Sequence, residues 1–151
     1  MSRTDDTGDR KQYSVETIDG ILTPEIPDML NRFLDESEEN ESKQSEFLSA
    51  WKDGVEVAGE QFFVIRCEVV ASANDKDDLR PDLEMIKNSI GVISPGERVF
   101  ILSLCQFFNA RDIQELCSEF DIEFPTLTDI SHMDKRRRQV ITKLIEAFTG
   151  W

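Results

Sequence analysis

The chain has 151 residues, with 17 Lys and Arg against 31 Asp and Glu, one His, three Cys and ten Phe, for a formal charge of −14. Its 39% hydrophobic content is enough for one packed core, since domains run to roughly 100–200 residues. Seven Gly, three Cys and the lack of any apolar run near the ~20 residues of a membrane helix exclude collagen-like, disulfide-scaffold and membrane-spanning classes.

The charge is uneven. Residues 1–42 carry 4 basic and 12 acidic groups, residues 43–131 carry 8 and 17, and residues 132–151 carry 5 and 2. A negative field of this size repels phosphate backbones and favours encounter with a basic partner, so general nucleic-acid binding is disfavoured. The opening Met1-Ser2-Arg3-Thr4-Asp5-Asp6 lacks the basic start and apolar stretch of a secretory leader. Cys67, Cys105 and Cys117 sit among apolar neighbours and form no CxxC, which reads as buried reduced thiols. A cytoplasmic home is expected.

Residues 1–16 are polar and aperiodic, and ordering them would cost more entropy than their burial returns, so a disordered tail is expected. Pro24 and Pro27 then punctuate a stretch in which Met29, Leu30, Phe33 and Leu34 fall at i, i+1, i+4 and i+5. This predicts a short amphipathic helix over about 27–36, either packed back on the core or docking on a partner. The acidic run Asp35–Glu41 reads as a linker closing a flexible segment 1–42.

From Phe47 onward, Phe47, Trp51, Val55, Ala58, Phe62, Ile65 and Val69 recur at spacings of 4, 4, 3, 4, 3 and 4, one face of a continuous helix. The β-branched and aromatic richness of 61–71 offers a strand as the alternative. Leu79, Leu83, Ile86, Ile90 and Ile93 predict a second helix, with Pro81 in its first turn and Gly91 as its stop. Ser94-Pro95-Gly96-Glu97 fits a capping box and opens a central helix through Phe100, Ile101, Leu104, Cys105, Phe107 and Phe108. Asn109 caps a fourth helix ending near Asp121, with Ile113, Leu116, Cys117 and Phe120 inward. Residues 121–131 read as an ordered connection whose Ile122, Phe124, Leu127 and Ile130 plug the core. Ser131-x-x-Asp134 offers a further box for a last helix through Met133, Val140, Ile141, Leu144, Ile145 and Phe148. The expected architecture is all-α: a compact five-helix orthogonal or bundle-like domain over 43–151. An α+β fold with a strand at 61–71 is the alternative.

No phosphate-loop, dinucleotide, metalloprotease, nucleophile-elbow or EF-hand string occurs. His132, beside Asp129 and Asp134, has no second His to make a zinc constellation and reads as structural. The loop Asn74-Asp75-Lys76-Asp77-Asp78 is rich in carboxylates but lacks the central Gly and the distal Glu of a calcium loop, so it reads as solvated. Neither a cofactor nor a metal is implied.

The basic run Lys135, Arg136, Arg137, Arg138 places Arg137 near the buried edge of its helix and Lys135, Arg136 and Arg138 in water. There it either balances nearby carboxylates or contacts an anionic partner. The leading expectation is a non-catalytic protein–protein interaction module, a small acidic accessory, adaptor or chaperone-like protein that engages a basic or helical partner through Met29, Leu30, Phe33 and Leu34, with imitation of nucleic-acid charge as one form of that role. The alternatives are a nucleic-acid-binding regulator using helix 134–143, and an enzyme using His132.

Overall fold

The computed structural model describes residues 25–150, with side chains from Asp28 onward. The tail expected over 1–16 lies outside the described residues. The chain divides into two units, Met1–Glu38 and Glu39–Trp151. Five α-helices and one two-stranded sheet are present among the described residues, so the mostly helical class expected for the chain is the one observed.

Helix α1 runs over Glu25–Ala58. The short helix at 27–36 and the linker after it are therefore corrected, because Asp35–Glu41 is helical. Glu is a good helix former whatever its charge, and within this stretch Glu39 pairs with Lys43 at i+4, 2.7 Å apart. That contact holds the Glu39 carboxyl below its ordinary pKa, first through the Lys43 hydrogen bond and then through its charge.

The expected helix to Val69 is also corrected, because α1 stops at Gly59. There φ is +106°, a left-handed conformation that a Cβ penalises, and the Gly59 amide donates to the Val55 carbonyl at 2.9 Å. A one-turn 3-10 helix at Glu60–Phe62 leads into strand β1, Phe63–Ile65. Phe62 is buried but Val69, seven residues on, is exposed, so the helical rhythm does not carry through to Val69.

Strand β1 pairs antiparallel with β2, Leu79–Pro81, in the register Phe63↔Pro81, Val64↔Arg80, Ile65↔Leu79. The strand alternative at 61–71 is thus present as a three-residue core only. Pro81 ends β2 rather than opening a helix, since its ring biases Arg80 toward extended backbone and removes one ladder donor. Asp82 instead caps α2, Leu83–Ser89, accepting from the Met85 amide at 3.0 Å.

The Ser94–Glu97 capping box is present and opens α3, Pro95–Glu119. Asn109 leaves helical geometry inside α3 (φ −155°, ψ 99°), and its side-chain oxygen accepts from the Arg111 and Asp112 amides. The two helices expected to either side of Asn109 are therefore the two segments of α3. A Schellman stop follows: Ile122 N–H donates to the Cys117 carbonyl at 2.9 Å, with Asp121 left-handed at φ +52°.

The connection at 121–131 carries an unforeseen helix, α4 over Leu127–Ser131, opened by a box between Thr126 and Asp129. Leu127 is exposed there instead of plugging the core, whereas Ile122, Phe124 and Ile130 pack partly against it. Helix α5, Lys135–Ala147, is capped by Asp134 and not by the Ser131 box; Ser131 bonds back to the Thr128 carbonyl.

In the second unit the core gathers Phe47, Trp51 and Val55 of α1 with Phe100, Leu104 and Ile113 of α3 and Ile141 and Leu144 of α5. Gly54 permits this closeness: a Cβ there would lie 2.7 Å from Leu104 Cδ1 and 3.3 Å from Val140 Cγ1.

Candidate interaction surfaces

The residues singled out by sequence fall into separate places. Met29, Leu30, Phe33 and Leu34 lie on α1 and are 67%, 59%, 70% and 52% exposed. Around them on the same helix Asp28, Asp35, Glu36 and Glu38 are exposed as well. Four apolar side chains thus stand exposed with carboxylates around them on the same helix.

The basic run on α5 is divided by its partners. Arg137 is held near the buried edge, 3.4 Å from Asp134 and 3.9 Å from Glu97, with its guanidinium 5.8 Å from the Phe100 ring centre. Arg138 is exposed but donates through Nη1 to the Ser131 carbonyl at 3.0 Å, which ties α5 to the end of α4. Lys135 and Arg136 face water. Arg137 and Arg138 thus serve internal attachment, and Lys135 and Arg136 are the two cations of the run that point outward.

His132 terminates α4, its amide donating to the Thr128 and Asp129 carbonyls, and its side chain is exposed. Asp129 is committed to the Thr126 box, whose hydroxyl and amide hydrogen bonds hold its carboxyl below the ordinary value. The 74–78 carboxylates are likewise used locally. Asp78 accepts from the Asn74 and Asp75 amides, Asp75 accepts from the Asp77 amide, and Asp77 lies 3.9 Å from Arg80. Among the described residues no group of three or more His, Cys, Asp or Glu is placed to hold a metal ion, and no helix is long and apolar enough to cross a membrane. Cys105 and Cys117 are buried, whereas Cys67 is half-buried, its Sγ donating to the Val69 carbonyl.

Two grooves were not foreseen. One, of about 350 Å³, lies between the hairpin and the Asn109 break, and Arg66, Arg80, Asp82, Phe108 and Asp112 are among the residues that line it. Arg80 and Lys76 sit over the Phe108 ring at 5.4 and 5.1 Å. The other, of about 300 Å³, is walled by α3, α4 and α5 and is predominantly apolar. Its floor holds Ser103 and Ile141, and its rim holds Leu127 and Ile145, which are 78% and 53% exposed.

The Ser103 hydroxyl is fully buried and has no hydrogen-bond partner among the described residues. Ser118 and Thr142 behave otherwise, each donating to the carbonyl four residues back. A buried hydroxyl without a partner costs about 1–3 kcal/mol. Ile130, Ile141 and Ile145 betray this second groove in sequence only as core candidates; that they surround a concavity is a tertiary fact.

No protein-family model, curated protein or solved structure matches this chain.

Proposed function

We propose that the protein is a non-catalytic interaction module that holds a basic or helical protein partner on the N-terminal part of α1. The observation that carries this reading is the exposure of Met29, Leu30, Phe33 and Leu34 together within an acidic frame. Burying such side chains against a partner's apolar surface supplies the affinity, at roughly 25 cal/mol per Å² before association costs. The surrounding carboxylates select for cations on the partner and speed encounter. The local commitments of His132, Asp129 and the 74–78 carboxylates to caps and turns agree with a recognition role.

Affinity capture with the full chain tests it. Phe33→Asp together with Leu34→Asp should reduce partner recovery at least about tenfold, with an unchanged far-ultraviolet dichroism spectrum because both positions are exposed. Recovery of every partner at wild-type strength by the double variant overturns the reading.

A further inference from the structure

The geometry points to a second copy of this chain as the occupant of the α3–α4–α5 groove, with the Met29, Leu30, Phe33 and Leu34 stripe of one copy laid into the groove of the other. This rests on the reading that the stripe docks on protein, and it names the partner.

Three observations bear on the groove. First, it is a surface concavity of about 300 Å³ with an isoleucine floor and a rim of exposed Leu127 and Ile145. Such a trough takes the apolar face of a helix, whose side chains enter at i, i+3 and i+4 spacing. Second, the buried Ser103 hydroxyl beneath the groove has no hydrogen-bond partner among the described residues, a cost carried at this wall of the groove.

Third, the charges match. Arg138, Ile141, Ile145 and Phe148 follow one another at 3, 4 and 3 along one side of α5 and its end. Ile141, Ile145 and Phe148 line the groove, with the Phe148 ring 5.6 Å from that of Phe107, and Lys135, Arg136 and Arg138 are exposed in the first turn of the same helix. The stripe is framed by Asp28, Asp35, Glu36 and Glu38. One chain thus carries an acidic apolar helix and an apolar trough beside its densest basic run, two surfaces of opposite sign and matching chemistry. A two-fold pair uses each surface twice, because residue i of one copy meets j of the other and the reverse. Physiological salt screens the charge of −14 on each copy beyond about 8 Å, so the charges that meet at the contact itself, stripe carboxylates against basic run, decide the local balance.

Sedimentation of the full chain at increasing concentration reads the outcome. The 17.4 kDa chain should move to twice that mass at micromolar to roughly 100 μM protein. Phe33→Asp and Ile145→Asp, both at exposed positions, should each raise the dissociation constant at least about tenfold without altering the dichroism spectrum. Mixing the two variants should restore pairs beyond what either forms alone, because the intact stripe of one still meets the intact groove of the other.

A chain that stays monomeric throughout, or pairing insensitive to Ile145→Asp, overturns the inference. Neither result touches the reading of the stripe as a docking segment, which is lost only if the Phe33 and Leu34 variants also keep every captured partner.

Discussion

The indole Nε1 of Trp51 donates to the carbonyl of Leu79 at 3.1 Å, both residues being essentially inaccessible to water. This bond joins the middle of α1 to β2 across the interior, where Trp51 also packs against Phe47, Phe63 and Phe108. Trp51→Phe removes the donor and leaves volume unfilled. It should lower unfolding free energy by about 2–4 kcal/mol, combining an unsatisfied carbonyl with a partial cavity. Urea denaturation followed by far-ultraviolet dichroism measures this directly.

Gly54 and Gly91 make a matched pair. Gly54→Ala gains about 1 kcal/mol of helix propensity but forces a methyl to within 2.7 Å of Leu104 Cδ1 in a close-packed interior. The net effect should be a loss of about 1–3 kcal/mol. Gly91→Ala meets nothing within 4 Å and should be neutral within about 0.5 kcal/mol. Equal losses at both positions in thermal unfolding would contradict the close approach of α1 to α3 and α5.

Asp121 pays a backbone penalty that glycine avoids. It occupies the left-handed position of the Schellman stop after α3, at φ +52°. Asp121→Gly should therefore raise stability by up to about 1 kcal/mol, less the added freedom of the unfolded chain. A lower midpoint in the same urea titration would show that the carboxylate contributes something the cap geometry does not.

Acid should loosen the helix starts. Glu97 is held below its ordinary 4.5 by the Ser94 hydroxyl and amide. Asp129 is held below 3.8 by the corresponding Thr126 groups, and Asp134 below 3.8 by the Arg137 amide and then the Arg137 charge. A carboxylate whose folded pKa is depressed adds stability above its unfolded pKa, and that stability is lost as pH falls through the folded value. Unfolding midpoints should thus be flat near neutrality and decline from about pH 4.5 downward. Glu97→Gln, which keeps an acceptor but does not titrate, should shallow that decline.

Thiol reactivity should separate the cysteines. Burial pushes the Cys105 thiol far above its ordinary range and raises Cys117 as well. Thiolate is the attacking species, so both should resist labelling until the chain unfolds. Cys67, only half-buried, should react first. Titration with an aromatic disulfide is expected to consume one thiol promptly and the other two in denaturant.

What the sequence disclosed was local chemistry. Ser94 with Glu97 and Asn109 with its two following amides are complete within a few residues, so their helix starts could be read directly. Where two local patterns competed, Thr126 with Asp129 formed a box and Ser131 with Asp134 did not; the choice depends on where Met133 must bury. The run from Phe62 to Val69 kept a helical rhythm by coincidence. The decisive signal was Gly59, whose meaning as a left-handed stop emerges only when the chain must turn toward β2. Acidic density at Asp35–Glu41 reads as a linker, yet the helix propensity of glutamate prevails there within α1. The stripe could be found from spacing alone, but the groove and the orphan Ser103 hydroxyl could not, since both arise from three helices converging.

Gly59 also sets a stereochemical demand. At φ +106° and ψ +126° the backbone lies where only glycine rests without strain, because the mirror image of that pair falls outside the regions open to a residue with a side chain. Gly59→Ala should strain the end of α1, and its Cβ would also meet the Gln61 side chain at 2.6 Å. The missing side chain of one residue therefore helps decide whether the aromatic residues after Ala58 turn into the hairpin or run on as helix.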